Sequence, residues 1–124
     1  MMPEREGCVL VVDDEALIAL SLSDMLEEMG LPVCGTAATA RRAIELADLH
    51  RPVLILMDVR LKGTEDGVHA ALEIHRRHGT PVIFITGSRE QETIDRIHQD
   101  HPAGLLIKPI LPKHLKAEVE RVLG

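Results

Sequence analysis

The sequence predicts an α/β domain, a parallel sheet carrying helices on both faces, and three observations lead there. Short apolar runs recur, and each stops at a polar group: Val9-Leu10-Val11-Val12-Asp13-Asp14, Val53-Leu54-Ile55-Leu56-Met57-Asp58, Val82-Ile83-Phe84-Ile85-Thr86 and Leu105-Leu106-Ile107-Lys108. Runs this short and this aliphatic read as strands buried on both faces. Segments of helical periodicity lie between them, and strands alternating with helices imply parallel strands joined by right-handed crossovers. Pro32, Pro52 and Pro81 stand at strand entries and mark the changes of element.

Taken in order, residues 8–13 form the first strand, and Glu15 opens a helix that Gly30 stops near Met29. Ile18, Leu22, Met25, Leu26 and Met29 give that helix its inward stripe. Leu17 and Leu20 lie off it, and Leu17 reads as part of a docking surface. A short strand spans Val33 to Gly35. The Thr36–Thr39 region caps a helix with Ala40, Ala43, Ile44 and Ala47 facing inward. After the central strand, a loop from Val59 to Glu65 turns at Lys62-Gly63. Asp66-Gly67 introduces a helix carrying Val68, Ala71, Leu72 and Ile74. The helix over 89–99 has only Ile94 and Ile97 to hold it, so it is the element expected to move. In the last helix Pro112 occupies a first-turn position, and Leu115, Val119, Val122 and Leu123 point inward. The expectation is one domain over 1–124, with no repeat, linker or effector segment.

Composition narrows the function. The 124 residues are 45% hydrophobic, enough for one core. A net charge of -6 without a basic block argues against nucleic-acid binding. No apolar run approaches the roughly 18 residues of a membrane span, and no signal-peptide core follows the polar start. A cytosolic location is the expectation. One Phe and no Tyr or Trp leave no aromatic platform for bases or sugars. Cys8 and Cys34 fall on the first two strands. A bridge between them is conceivable, but buried reduced thiols are the expected state in a cytosolic chain. His75 with His78 and His98 with His101 lack a convergent third ligand and read as solvated helix faces.

The strand ends carry the chemistry. Ligands of open parallel sheets collect at the carboxyl ends of the strands, and there the sheet would gather Asp13, Asp14, Asp58, Thr86 and Lys108. Taken singly, the two first acids are helix-cap residues, the lysine a surface group and the threonine a turn residue. Together, three carboxylates need a cation, and few oxygen ligands in an open site favour Mg²⁺. A metal, an ammonium and a hydroxyl around an exposed carboxylate suit phosphoryl transfer onto Asp58. Gly87 leaves room for the group to enter. The Asp13-Asp14-Glu15 turn repels phosphate, so a flavin or dinucleotide site is excluded; no G-x-G-x-x-G or Walker loop is present.

The ordered set Val11-Val12-Asp13-Asp14-Glu15, the strand ending in Asp58, Asp66-Gly67, Ile85-Thr86-Gly87 and Lys108-Pro109 resembles the receiver domains of bacterial two-component response regulators, over essentially the whole chain. The resemblance implies a flavodoxin-like (βα)5 three-layer sandwich of strand order 2-1-3-4-5. It implies Asp58 as phosphoacceptor and Mg²⁺ held by Asp14 directly, Asp13 mainly through water, Asp58, and the backbone carbonyl of Arg60. Thr86 and Lys108 would contact the phosphoryl group, and Lys108-Pro109 would be cis. A histidine kinase or histidine phosphotransfer protein would donate phosphate. The face of the fourth helix, fifth strand and fifth helix would then switch toward a downstream protein, with the receiver a monomer or a phosphorylation-dependent dimer. Such a domain is no enzyme beyond its own phosphorylation and dephosphorylation. The Asp58–Gly63 loop with Asp66-Gly67 also resembles receivers of alphaproteobacterial signalling.

The chain departs from the family pattern at two places. Leu105 and Ile110 stand where receivers usually carry aromatic residues, which puts the output coupling in question. Arg60 and Ser88 occupy positions that tune phosphoryl lifetime in the family. Two alternatives compete. A haloacid-dehalogenase-like phosphatase needs an acid two residues after its nucleophile, where this chain has Arg60. A pseudo-receiver acting as a constitutive binding module would not need the intact acid set.

Overall fold

The computed structural model describes residues 7–87, 91–99 and 102–124. Ten elements alternate along it: β1 Val9–Val12, α1 Ala16–Glu28, β2 Val33–Ala37, α2 Ala40–His50, β3 Leu54–Asp58, α3 Gly67–His78, β4 Val82–Thr86, α4 Gln91–Gln99, β5 Gly104–Ile107 and α5 Pro112–Leu123. The five strands are parallel in the order β2-β1-β3-β4-β5. This is the flavodoxin-like (βα)5 arrangement. Ser88, residues 89–90 of the expected fourth helix, and His101 lie outside the described residues.

Side-chain alternation divides the core into two layers. Leu10, Val12, Ile55, Met57 and Phe84 face α2, α3 and α4. Val9, Val11, Leu54, Leu56, Ile83 and Ile85 face α1 and α5. Every residue of β1, β3 and β4 is buried, as strands covered on both faces require. Each fully buried aliphatic or aromatic side chain contributes about 1.5–3 kcal/mol over an exposed one, so these three strands fix the register of the remainder.

The edge strand β2 breaks the alternation. Val9 pairs with Val33, but Leu10 pairs with Gly35, so Cys34 is an extra residue without a partner in β1. A bulge of this kind moves all later side chains to the other face. Val33 accordingly joins the α1–α5 layer and Ala37 the α2–α3 layer, although both positions are odd. Cys34 is bonded to Cys8, with Cα atoms 5.2 Å apart. This corrects the expectation of two reduced thiols: strand pairing brings the residues within the span of a disulfide, which their sequence separation could not reveal.

Helix phases also differ in detail. In α3, Ala70 is buried and Leu72 is exposed, because the helix begins at Gly67 with that glycine packed inward. In α2, Leu46 is buried and Ile44 only half-buried. Thr39 and Asp66 are the caps, accepting from Arg42 N and His69 N, each at 3.0 Å. α4 is anchored by buried Ile97 and half-buried Ile94.

The outer edge at β5 is covered from α5. Glu118 Oε2 accepts from Leu105 N at 3.2 Å, and Arg121 Nη2 donates to Ala103 O at 2.7 Å. Gly104, between them, is the residue this permits, since a Cβ there would strike the Glu118 carboxylate. The pair blunts an edge that would otherwise accept a foreign strand.

Candidate functional site

β1 and β3 are neighbours in register, with Val12 opposite Met57, so both chains release their acids at the same level of the sheet. Carboxylate oxygens of Asp13, Asp14 and Asp58 lie within 4.8 Å of one another. Asp13 and Asp58 are buried, while Asp14 is half-buried. On the other side of β3, Asp58 pairs with Ile85, which puts buried Thr86 one residue beyond it at the end of β4. Thr86 O accepts from Lys108 N at 2.8 Å, carrying the backbone of β5 into the site. The Lys108-Pro109 peptide is cis, as the resemblance implied.

Lys108 Nζ lies 3.2 Å from Asp58 Oδ2 and 3.1 Å from Asp13 Oδ2. The first contact is a hydrogen bond. The second is an ionic contact off the line of one, so buried Asp13 Oδ2 has no hydrogen bond, while Asp13 Oδ1 accepts from Glu15 N at 2.9 Å. One oxygen of Asp13 thus closes a local turn ahead of α1, whose N-cap residue Glu15 makes no side-chain cap hydrogen bond, and the other points into the cluster.

Three carboxylates around one ammonium leave an excess of negative charge. Burial, then repulsion from Asp13, push the Asp58 carboxyl up to about 6, against the opposing pull of Lys108 and the Arg60 backbone N–H. Burial disfavours the Lys108 ammonium, but contact with Asp13 and Asp58 outweighs it and its pKa is raised. The ammonium therefore stays charged, and among the described residues it is the cation in contact with these acids. The exposed side chain of Arg60 does not feature among the site's ion pairs. The donor set, oxygen only and open on one side through Asp14, fits a hard divalent cation.

The loop leaving Asp58 is tightly seated. Gly67 N donates to Val59 O at 2.8 Å, and a Cβ on Gly67 would collide with the Asp58 carbonyl oxygen. Further along the loop, Lys62 bridges to Thr39 and its N–H donates to Ala38 O at 3.1 Å. Asp66 divides its carboxylate, with Oδ1 on the α3 cap and Oδ2 2.9 Å from Arg96 Nη1 of α4. This last ion pair escaped the sequence reading, because Asp66 and Arg96 belong to different βα units and share no local pattern.

The family model for the response regulator receiver domain matches residues 9–120. The chain belongs to this family. It is 35% identical over 112 residues to the transcriptional regulatory protein PdtaR of Mycobacterium tuberculosis, covering 90% of this chain and 54% of that protein. It is 34% identical over 116 residues to the phyllosphere-induced regulator PhyR of Methylorubrum extorquens, covering 93% of this chain and 43% of that protein. The receiver thus spans about half the length of these curated relatives. Among solved structures, the signal receiver domain of a modulated diguanylate cyclase from Desulfovibrio desulfuricans superposes with a TM-score of 0.88 at 34% identity, covering 94% of this chain and 93% of that one. The receiver domain of PhyR from Erythrobacter litoralis gives a TM-score of 0.82 at 30% identity, covering 94% and 89%. Membership places the chain in phosphorelay signalling. Among the described residues, no helix of this receiver is long and apolar enough to cross a membrane.

Proposed function

We propose that this receiver accepts a phosphoryl group on Asp58 in a Mg²⁺-dependent reaction. The observation that carries the reading is the gathering of three carboxylates in one cluster, two of them on the Lys108 ammonium, with a buried oxygen of Asp13 lacking a hydrogen bond. Asp13, Asp14 and Asp58, with the backbone carbonyl of Arg60, would hold the ion. Bound Mg²⁺ supplies the missing positive charge and draws the oxygens of the incoming phosphoryl group.

The chain's own residues do the rest. With its proton released to solvent, an Asp58 oxygen attacks phosphorus, and the bond from phosphorus to the donor nitrogen or oxygen breaks, its electron pair leaving with the donor. Lys108 holds the Asp58 carboxylate beforehand and pairs with a phosphoryl oxygen afterwards; the Thr86 hydroxyl takes another. Among the described residues, nothing lies near the position of a Cβ on Gly87, beside Thr86.

A donor must approach the strand ends, and the surface beside them is apolar. Leu17 and Leu20 are exposed, and Leu17, Ile18, Pro109 and Ile110 line a groove of about 430 Å³ that reaches Lys108. A helical face of a histidine kinase or phosphotransfer protein fits this surface, consistent with the docking role read for Leu17. Phosphorylation then acts on α4 and the neighbouring β5 and α5. With Leu105 in place of an aromatic switch, the Asp66–Arg96 pair offers the direct path from the Asp58 loop to α4. Working in the cytoplasm, the receiver would pass its signal by protein contact or onward phosphotransfer.

Acetyl phosphate with Mg²⁺ should add one phosphoryl group, measured by intact mass, and beryllofluoride with Mg²⁺ should change backbone exchange on α4. Asp58→Asn should lose both responses, a drop of about 100-fold or more in phosphorylation rate. An unimpaired response in that variant sinks the assignment.

A further inference from the structure

The disulfide between Cys8 and Cys34 lies at the opposite end of the β1–β2 pair from the acids. Both residues are half-buried, near the surface rather than inside either core layer. The chain holds only these two cysteines, so no third thiol competes for either. Cys34 is the bulged residue of an edge strand, the place in a sheet where pairing is least determined and where a one-residue slip exchanges the two faces. Cys8 is held on its other side, its carbonyl accepting from Val53 N of the segment entering β3 at 2.9 Å. One partner is therefore fixed to the sheet centre and the other belongs to its least secured strand.

We propose that Cys8 and Cys34 form a reversible thiol–disulfide site that exchanges with small-molecule disulfides of the glutathione type, and that its oxidation fastens the bulged strand β2 to β1. One cysteine thiolate attacks a sulfur of the small disulfide. That S–S bond breaks, and the departing thiolate takes a proton. The second cysteine thiolate then attacks the protein sulfur of the mixed disulfide and releases the second small thiol. Two cysteine thiols are oxidised to one disulfide while one small disulfide is reduced to two thiols. The other end of the strand pair is held independently of this bond, because Asp13 N donates to Ala37 O at 2.9 Å. Oxidation therefore secures the edge strand without rebuilding the phosphorylation centre.

The test uses the full chain, reduced and then equilibrated at a series of oxidised-to-reduced glutathione ratios, with remaining thiols alkylated and intact mass recorded. Both alkylation sites should disappear together, giving a monomer lighter by two hydrogens, and should return as the ratio is reversed. Backbone exchange across residues 33–37 should slow by roughly tenfold in the oxidised form. Cys34→Ser should leave Cys8 able to form only the mixed disulfide. Thiols that stay alkylatable at every ratio overturn the proposal. So does an oxidised product that is doubly glutathionylated or an intermolecular dimer. A bond that no thiol reduces until the protein is denatured also overturns it, since that identifies a permanent crosslink.

Discussion

Two acidic clusters in this molecule share residue types and have opposite fates. At the carboxyl ends of the strands, Asp13, Asp14 and Asp58 cluster in a largely buried site, the first and last in contact with Lys108, and Asp58 is pushed up to about 6. At the other end of the sheet, Asp48 of α2 and Glu73 of α3 meet the exposed Arg76 and Arg77 and the largely buried ring of His78. Arg77 Nη1 lies 2.6 Å from Asp48 Oδ2, and Arg77 Nε lies 2.7 Å from Glu73 Oε2. There the hydrogen bond from His78 holds the Asp48 carboxyl below its usual value, and the one from Arg77 does the same for Glu73. Acids with enough cations and water make a clasp between two helices. Acids with too few of either make a site that needs something from outside.

The largest effect should come from disturbing the seat of the buried cluster. Gly67→Ala forces a Cβ onto the Asp58 carbonyl, a backbone atom in the middle of the sheet that cannot step aside. The expected loss is about 3 kcal/mol, at the upper end for overpacking, together with weakened Mg²⁺ binding. Gly87→Ala, where a Cβ meets no atom of the described residues, should stay within about 0.5 kcal/mol of the parent. Urea unfolding of both variants separates steric seating from a general intolerance of change near the strand ends.

Next comes the cost of the cluster itself. Asp58 has a folded pKa above its unfolded one, so its contribution to stability is fully present below about pH 4 and is lost as pH rises through about 6. Without Mg²⁺, Asp58→Asn should therefore be more stable than the parent at pH 8, by about 1–2 kcal/mol after allowance for solvent screening. The gain should vanish near pH 4. Mg²⁺ affinity of the parent should fall as pH drops through about 6, because protons compete for the same carboxylate. An Asp58→Asn variant less stable than the parent at pH 8 in the absence of metal would mean that the acids are already balanced within the chain.

How much of this was legible in the sequence follows from what is local. Apolar runs ending in polar groups are local, so the five strands, their parallel sense and the gathering of Asp13, Asp14, Asp58 and Lys108 can be read from the residues, while the strand order followed from the family resemblance. The bulge at Cys34 cannot, because register belongs to a pair of strands. With it go the disulfide and the extent of β2, which runs to Ala37 rather than Gly35. Size alone points Leu72 inward, whereas the docking of Gly67 under the Asp58 loop sets the phase of α3 and turns Leu72 out. The Asp66–Arg96 and Asp48–Arg77 pairs join separate βα units, with Asp48 and Arg77 29 residues apart, and no periodicity within one helix announces them.

The smallest expected effect is the most direct test of the contrast, because its sign is opposite. Asp48 has a folded pKa below its unfolded one, so its contribution is present above about pH 4 and is lost as pH falls through the folded value. Asp48→Asn removes the charge that Arg77 and His78 both face, and at neutral pH it should lower Tm by about 1–3 °C, in line with exposed ion pairs. The same substitution chemistry at residue 58 should raise it. Salt separates them further. The Asp48 effect lies in solvent and should shrink toward nothing near 1 M monovalent salt, where the Debye length is about 3 Å. The Asp58 effect arises from desolvation and from a neighbouring buried carboxylate, and should largely survive. Thermal unfolding of the Asp48→Asn and Asp58→Asn variants at low and high salt would show both signs in one experiment. Equal signs, or equal salt sensitivity, would dissolve the distinction between a self-neutralised clasp and a site left open for a cation.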